Sequence, residues 1–197
     1  FLGCQHGNAA MAQAVLEAAI NKLAVGSVDS GRFVEEAIRR AGGRMIRTVV
    51  GDIHVAETTR EHAAALGMEE CGHYIVSRLG YFSETIFPTA LMLASHDLNT
   101  IRDGLADMPQ IHARELRIGC SEADNASVMG YVTEHFAPPD AEGNTIDGLR
   151  ADWEDGWLLI RPSGTEPVLP VYAAARDAEL VQELLAAGRA MSGLEEH

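Results

Sequence analysis

Residues 157–172 read Trp-Leu-Leu-Ile-Arg-Pro-Ser-Gly-Thr-Glu-Pro-Val-Leu-Pro-Val-Tyr. Two short apolar runs, residues 157–160 and 168–172, enclose a centre that is rich in Pro, Ser and Gly. Apolar runs of this length, bounded by turn-forming residues, are typical of strands in a sheet. The stretch therefore predicts two strands joined by a tight loop at residues 161–167.

The loop has the composition of an anion-binding site. Arg161 carries a planar guanidinium suited to bidentate phosphate binding, and Ser163 and Thr165 add hydroxyl groups. Gly164 lets backbone N–H groups approach an anion closely. Pro, Ser and Gly also form ordinary turns, so these residues alone leave open both a phosphate-binding loop and a plain hairpin connection.

The sequence around this loop predicts a small α+β domain with an antiparallel sheet. Residues 111–118 alternate as an edge strand does, residues 125–136 favour a helix, and residues 138–143 are typical of a solvent loop. Glu-Asp-Gly at 154–156 indicates a hairpin turn. Asp177 is placed to cap a last helix.

The first half of the chain alternates between strand and helix patterns. Residues 23–28 and 44–50 are apolar and enclose a helical pattern at 32–41. This order favours a parallel crossover unit. Ser30 or Asp29 is a candidate cap for the enclosed helix.

Further elements of this half are expected to frame a ligand site. Loops around Gly51 and Gly72 are expected near the ends of strands, one of them predicted at residues 73–76, and α/β proteins bind ligands at the ends of their strands. Residues 83–96 are expected to form a buried helix, with Pro88 making it start late or kink.

The pattern becomes richer in strands after Met108, so we place a domain boundary there. The predicted domains are residues 1–108 and residues 109–197. The chain opens at Phe1 in ordinary mixed sequence, which predicts that it was cut out of a longer protein or has lost a disordered start.

Charge and cysteine usage limit the possible partners. The formal net charge of −14 opposes sequence-independent binding to nucleic acid or anionic lipid, so neither is an expected partner. No apolar run is long enough to span a bilayer. Cys4, Cys71 and Cys120 are odd in number and far apart, which argues against a disulfide framework or a structural zinc site. A reducing cytoplasm is the expected location.

The common nucleotide and metal motifs are missing from the sequence. It has no G-x-G-x-x-G fingerprint and no G-x-x-x-x-G-K-S/T loop. None of the eight histidines has H-E-x-x-H or paired-histidine spacing. We therefore expect no cofactor and no catalytic metal bound by this chain.

A second polar stretch, Gly67-Met-Glu-Glu-Cys-Gly-His73, lies in the first half. Together with the loop at 161–167, it resembles the alpha-D-phosphohexomutase family, the phosphomannomutases, phosphoglucomutases and phosphoglucosamine mutases. The resemblance implies that Glu69, Cys71 and His73 bind the sugar, with Cys71 where the family has serine, and that His73 takes part in proton transfer. Without it, Glu69 reads as part of a solvated charge pair.

A third stretch, Thr48-Val-Val-Gly-Asp-Ile-His-Val55, resembles the family loop that reads the orientation of the sugar. The resemblance implies that Gly51 and His54 contact the substrate, with His54 replacing the cation that the family often carries at Ile53. The alternative is a turn in which Asp52 caps the following helix.

The resemblance also bears on the loop at 161–167. It implies phosphate-binding roles for Arg161, Ser163, Gly164 and Thr165. Glu166 adds a negative charge beside the phosphate, so it must point away or hold Arg161 in position.

The resemblance implies domains 3 and 4 of a phosphohexomutase: a three-layer αβα domain with a mixed sheet, followed by the small α+β domain. The family reaction moves phosphate between the anomeric and primary positions of a hexose phosphate, through a phosphoserine and with Mg²⁺. Both of those belong to domains 1 and 2, which become expected partners in the same polypeptide. The alternatives are a phosphoglucosamine mutase specifically, or a non-catalytic phosphosugar-binding module.

Overall fold

The computed structural model describes residues 4–95, 97–106, 108, 110–135 and 140–193. The chain divides into two units, Phe1–Pro109 and Gln110–His197. None of the helices in the described ranges has the length and apolar character needed to cross a membrane.

The first unit alternates strands with helices. Its elements are α1 (Cys4–Glu17), β1 (Leu23–Ser27), α2 (Arg32–Arg40), β2 (Arg44–Thr48), α3 (Asp52–Glu61), β3 (Leu66–Met68), β4 (Tyr74–Val76), α4 (Ile86–Ser95) and α5 (Leu98–Ala106).

The sheet of the first unit has four strands in the order β2-β1-β3-β4. Strand β1 pairs parallel with both β2 and β3, whereas β4 returns antiparallel to β3. The prediction of an αβα domain with a mixed sheet is confirmed, and so is the parallel crossover from β1 to β2. As a consequence, the carboxyl ends of β2, β1 and β3 lie at one edge of the sheet.

Close packing of α3 on β3 depends on one glycine. A Cβ on Gly67 would collide with Thr59 Oγ1 and would lie 2.8 Å from Val55 Cγ1. Val55 and Thr59 are both fully buried on α3. Gly67 therefore brings α3 near the strand that leads into the Glu69–His73 loop.

The structure corrects two local predictions about α2 and β3. Helix α2 is capped by the backbone of Gly31 with no side-chain hydrogen bond, so the predicted capping by Ser30 or Asp29 is wrong; Ser27 Oγ donates to Asp29 Oδ1 at 2.5 Å instead. Strand β3 was missed because it is only three residues long.

The expected buried helix at 83–96 begins late, at Ile86, as the nearby proline indicated. Its first two N–H groups, of Ile86 and Phe87, donate to the Glu84 carboxylate at 3.0 and 2.7 Å. The prediction of burial is wrong for part of its surface, because Ile86, Phe87 and Leu93 are exposed.

The second unit is an antiparallel sheet with two helices. Its elements are β5 (His112–Gly119), α6 (Glu122–His135), β6 (Glu142–Asn144), β7 (Leu149–Asp152), β8 (Gly156–Ile160), β9 (Val168–Ala175) and α7 (Ala178–Ser192). The strand order is β5-β9-β8-β7-β6, with every pair antiparallel. This confirms the predicted α+β class and the edge position of β5.

The structure of this unit tests several local predictions. Asp177 Oδ1 accepts from Glu179 N at 2.7 Å, so the predicted cap of α7 is confirmed. The predicted solvent loop at 138–143 overlaps the short strand β6, which pairs with β7. Residues 138 and 139 of this predicted loop lie outside the described ranges. The core of the unit joins α6 and α7 to alternate residues of the strands, such as Leu158 and Ile160.

Strand β7 also buries a charge. The Arg150 side chain has no exposed surface, and its Nε and Nη2 atoms donate to the Asp152 carboxylate at 2.7 and 2.8 Å. The guanidinium lies 4.2 Å from the ring centroid of Trp157 on β8. A bidentate carboxylate and an aromatic face together offset part of the cost of burying the cation.

Candidate functional site

Polar loops follow β1, β2 and β3 at the shared edge of the first sheet, and two hydrogen bonds join them. Gly51 N–H donates to Glu69 Oε1 at 2.8 Å, which links the loop after β2 to the loop after β3. Gly31 N–H lies 3.4 Å from Glu70 Oε2, which links the loop after β1 to the same segment. The structure thus brings the Gly51 and Glu69 segments together.

Glu69 is the central side chain of this edge, and it is only 5% exposed. Its Oε1 atom accepts from Gly51, and its Oε2 atom lies 3.0 Å from His73 Nδ1. A buried carboxylate needs such partners because unpaired charge in the interior is costly. Its oxygen atoms are therefore held by protein groups, and Glu69 orients both loops.

His73 is half exposed, since 52% of its side chain is accessible to solvent, and its Nδ1 atom faces Glu69. When Nδ1 carries the proton and donates to Glu69, Nε2 is left with a free lone pair. This carboxylate–imidazole arrangement fixes the orientation of the ring. The result is a ring nitrogen that can accept a hydrogen bond or a proton.

Cys71 is exposed, and its Sγ atom lies 4.0 Å from Glu69 Oε2. Desolvation raises the pKa of the Cys71 thiol above its ordinary value, and the carboxylates of Glu69 and Asp29 raise it further. The group is therefore a neutral thiol at pH 7 rather than a reactive thiolate. Sequence reasoning missed Asp29 as a neighbour of the site, although its position in the loop after β1 could have indicated it.

Asn8 on α1 holds the loop from beneath and was also missed. Its Nδ2 donates to the carbonyl oxygens of Glu69 and Glu70 at 3.2 and 3.1 Å, and Tyr74 Oη donates to its Oδ1 at 2.7 Å. Asn8 is 1% exposed. Asn8 shares a helix face with buried Met11. A polar residue on an otherwise apolar helix face could therefore have identified Asn8 from the sequence.

Replacing Asn8 by leucine is expected to destabilise this loop by about 2–3 kcal/mol, because two carbonyl groups and a buried hydroxyl each lose one hydrogen bond. Native-state hydrogen exchange of the Glu69 and Gly72 amides, which are bonded within the loop, measures this directly. The control is Asn99→Ala at an exposed position of α5, expected to change stability by less than about 0.5 kcal/mol. Unaltered protection of both amides in the leucine variant would contradict the prediction.

The third predicted loop lies beside the Glu69 segment. Gly51 adopts a φ of 129°, and a Cβ built there would lie 3.3 Å from the His54 ring. Helix α3 begins at Asp52, but its N-cap is Gly51 with no side-chain hydrogen bond. The alternative in which Asp52 caps the helix is therefore wrong. His54 is exposed next to the Gly51–Glu69 contact.

In the second unit, Arg161 is anchored at the base of its loop. Its Nε donates to Asp147 Oδ2 at 3.1 Å, with the two side chains 17% and 14% exposed. Gly148, at φ 82°, lies so close that a Cβ would meet Ile160 O and come within 2.6 Å of Arg161 Cβ. Asp147 and Gly148 therefore fix the position of Arg161.

The regular pairing of β8 with β9 ends at Ile160 and Val171, and beyond it only single hydrogen bonds join the two segments, including one from Ser163 N to Val168 O at 3.1 Å. Arg161 N donates to Pro170 O at 3.3 Å, but proline has no N–H to return the bond. Within the loop, Ser163 Oγ accepts from the N–H groups of Thr165 and Glu166 at 3.3 and 3.1 Å. The tip of the loop, at Gly164 and Thr165, is exposed.

Glu166 pairs with Arg117 of β5. It therefore does not hold Arg161, and of the two orientations considered from the sequence, the one directed away from Arg161 is found. Arg117 lies directly across from Pro170 in the β5–β9 register. No local signal identified Arg117, because its position depends on the pairing of strands far apart in sequence.

The loop and helix α6 line a cleft of about 580 Å³. The loop contributes Pro162–Pro167, and α6 contributes Glu122, Asn125, Ala126 and Met129. Asn125 Oδ1 is buried without a hydrogen-bond partner within the described ranges. The structure thus places Ser163, Gly164 and Thr165 on the cleft wall, while Arg161 stands behind them against Asp147.

One group of three metal-ligating side chains occurs among the described residues: Glu69, Cys71 and His73, whose ligand atoms all lie within 4.8 Å of one another. A thiol and an imidazole do not fit Mg²⁺, which prefers oxygen ligands in octahedral geometry. The described part of the chain therefore offers no built Mg²⁺ site.

The fold and the two loops define a class of proteins in which an α/β unit with polar strand-end loops precedes an antiparallel unit with an Arg-Pro-Ser-Gly-Thr loop. A family model described as phosphoglucomutase/phosphomannomutase, alpha/beta/alpha domain III, matches residues 6–110. A second, described as phosphoglucomutase/phosphomannomutase, C-terminal domain, matches residues 116–190. The chain belongs to this family, the phosphohexomutases, and the resemblance read from its loops is confirmed.

Relatives and solved structures agree with this assignment. The chain is 33% identical over 165 residues to the "probable phosphoglucosamine mutase" of Pyrococcus horikoshii, covering 82% of this chain and 36% of that protein. It is 34% identical over 164 residues to the protein of the same name in Thermococcus kodakarensis, with coverage of 82% and 36%. The chain thus spans little more than a third of these curated relatives.

The fold is similar to a phosphoglucomutase/phosphomannomutase family protein from Burkholderia thailandensis, with a TM-score of 0.81 and 22% identity. That match covers 98% of this chain and 42% of the other. An N-acetylphosphoglucosamine mutase from Aspergillus fumigatus matches with a TM-score of 0.58 and 13% identity, over 97% of this chain and 46% of that one.

Proposed function

We propose that this chain is the sugar-binding and phosphate-binding part of a longer phosphohexomutase. The longer protein is an isomerase that acts as an intramolecular phosphotransferase on a hexose phosphate. Hexose phosphates of the mannose, glucose and glucosamine type are the candidate substrates, and the names of the relatives in Pyrococcus and Thermococcus favour an amino sugar phosphate. A cytoplasmic location is part of the proposal.

The sugar is proposed to bind at the strand-end loops of the first unit. Vicinal hydroxyl groups need both acceptors and donors. His73 supplies Nε2 on a half-exposed side chain, and Cys71 supplies an exposed thiol where the family has serine. Glu69 contributes chiefly by holding the ring of His73 and the N–H of Gly51, and His54 borders the same edge.

The phosphate that is not transferred is proposed to bind at the Ser163–Thr165 tip. The observation that supports this most is that Ser163, Gly164 and Thr165 line a cleft, on a loop that begins at an arginine fixed by Asp147. The Nη atoms of Arg161 make no hydrogen bond to a residue that the structure describes. Pairing of Glu166 with Arg117 neutralises the carboxylate that would otherwise repel the anion.

This part of the enzyme contributes positioning. Phosphoryl transfer depends on aligning the acceptor and the donor and on stabilising charge. Holding the remote phosphate and the ring orients the reacting end of the sugar. The phosphoserine and the Mg²⁺ that neutralises charge are proposed to belong to domains 1 and 2 of the longer polypeptide, which makes this a phosphoprotein when complete.

The test is a titration of the ¹⁵N-labelled chain with glucose 1-phosphate, glucosamine 6-phosphate and inorganic phosphate. Changes in the amide chemical shifts are measured by NMR at each ligand concentration. We expect weak binding, with shifts at residues 163–166 for all three ligands, because the phosphate group is common to them. Glucose alone serves as the control and should leave that loop unshifted. The isolated chain is expected to show no mutase activity.

Absence of any perturbation at residues 163–166 at saturating ligand would remove this loop from phosphate binding. Shifts confined to residues 51–54 and 69–73 would support the sugar site alone. A longer protein that contains the upstream domains but interconverts none of the three hexose phosphates would contradict the enzymatic proposal and leave a binding module.

A further inference from the structure

The Glu69–His73 segment brings a carboxylate oxygen, a thiol sulfur and an imidazole nitrogen close together. Glu69 Oε2 lies 3.0 Å from His73 Nδ1 and 4.0 Å from Cys71 Sγ, and one ligand atom from each of the three side chains lies within 4.8 Å of the other two. The ligands alternate along the chain at positions 69, 71 and 73. This juxtaposition depends on the thiol of Cys71.

The spacing suits a tetrahedral ion. Zinc binds carboxylate oxygen and imidazole nitrogen at about 2.0–2.2 Å and thiolate sulfur at about 2.3 Å. At tetrahedral angles, such bonds place neighbouring ligand atoms about 3.3–3.7 Å apart. The 3.0 and 4.0 Å separations lie on either side of this range, so small side-chain rotations suffice.

The backbone and the neighbours hold these ligands in place. Glu69 N donates to His73 O and Gly72 N donates to Glu69 O, both at 3.0 Å, which closes the turn. The other carboxylate oxygen of Glu69 is occupied by Gly51 N–H, and a hydrogen-bonded outer atom of this kind orients a metal ligand. Cys71 and His73 are exposed, so an ion can enter and a fourth coordination position remains open.

We propose that Glu69 Oε2, Cys71 Sγ and His73 Nδ1 form a binding site for a thiophilic divalent cation such as Zn²⁺. On binding, the Cys71 thiol releases its proton to solvent, and the imidazole proton moves from Nδ1 to Nε2. The ion replaces the hydrogen bond between Glu69 and His73. The site excludes Mg²⁺, because its sulfur and nitrogen ligands are poorly matched to a hard ion.

Occupancy has a consequence for the sugar site, and this consequence rests on the proposed function. The ion would bind Cys71 and His73, which are proposed to face the sugar, together with Glu69, which holds the His73 ring. Metal and sugar would therefore exclude one another, so that a thiophilic cation acts as an inhibitor distinct from the activating Mg²⁺ of the family.

Cobalt(II) is the spectroscopic probe, added to the whole chain. A sulfur-to-cobalt charge-transfer band in the near ultraviolet, together with intense visible bands of a four-coordinate ion, is expected, and Zn²⁺ should bleach both while Mg²⁺ does not. In Cys71→Ser the charge-transfer band should vanish and the zinc affinity should fall by more than about 100-fold, since loss of an outer partner alone costs about 10- to 100-fold. Cys4→Ser and Cys120→Ala are the matched thiol controls and should keep the band.

A second readout does not depend on the fold of a variant. Zn²⁺ should slow alkylation of Cys71 in the unmodified chain, as located by peptide mass mapping, and Mg²⁺ should not. Retention of the charge-transfer band in Cys71→Ser, or equal alkylation of Cys71 with and without Zn²⁺, would overturn the proposal. Because no sugar is present in these measurements, their outcome is independent of the sugar-binding and phosphate-binding titration.

Discussion

Replacing Asp152 by alanine is expected to lower the free energy of unfolding of the second unit by about 3 kcal/mol. Arg150 is wholly buried, and Asp152 is its bidentate partner. The substitution removes the carboxylate that pairs with a buried cation, and breaking a buried pair costs about 3–5 kcal/mol. The lower end applies because 21% of the Asp152 side chain is exposed. Urea unfolding followed by tryptophan fluorescence measures the change, since both tryptophans, Trp153 and Trp157, lie in this unit.

The double variant Arg150→Met, Asp152→Ala is the matched control. It removes both charges and keeps a long apolar side chain against Trp157, so most of the lost stability should return. A double variant as unstable as Asp152→Ala would show that the loss comes from packing. A single variant with unchanged unfolding would show that the ion pair adds nothing to stability.

Replacing Arg161 by alanine is expected to weaken binding of inorganic phosphate or glucose 1-phosphate by about 2–3 kcal/mol, the contribution of charge-assisted hydrogen bonds to an anion. This corresponds to a loss of about 30- to 150-fold in affinity. The guanidinium is fixed through Nε by Asp147, so little side-chain entropy remains to be lost on binding. Calorimetric or NMR titration of the chain measures the dissociation constant.

Arg161→Lys separates charge from geometry. It keeps the cation but lacks the planar fork, so an intermediate loss is expected. Arg176→Ala removes an exposed cation from the same unit and should change the affinity by less than about twofold, because exposed charges are screened. If Arg161→Ala binds phosphate as well as the unmodified chain does, Arg161 has no part in the site.

Much of the fold follows from local patterns. The apolar runs at 23–28 and 157–160 predicted strands that the structure confirms with shifts of one residue, because burial on both faces requires continuous apolar sequence. Short elements were missed: β3 and β6 have three residues each. At that length the pairing partner, rather than the local sequence, determines whether a strand forms.

The sequence likewise predicted some features of the candidate site and missed others. Residue types placed Glu69, His73 and Arg161 in polar loops at strand ends, where ligand-binding residues are common. Their partners were not predictable locally. Asn8 acts on Glu69 across 61 residues, and Arg117 meets Glu166 across 49.

The linear sequence was sufficient for the class of each sheet, because periodicity and turn composition act over a few residues. The domain boundary at Met108 and the phosphate-binding chemistry of the Arg161–Pro167 loop stay predictions. Tertiary structure added that Glu69 is buried, that Arg161 is anchored by Asp147, and that Glu69, Cys71 and His73 converge on one point. These facts depend on strand register and on helix packing over long separations. Hydrogen-bond partners and burial are properties of neighbours in space, and the order of residues does not specify them until the chain has folded.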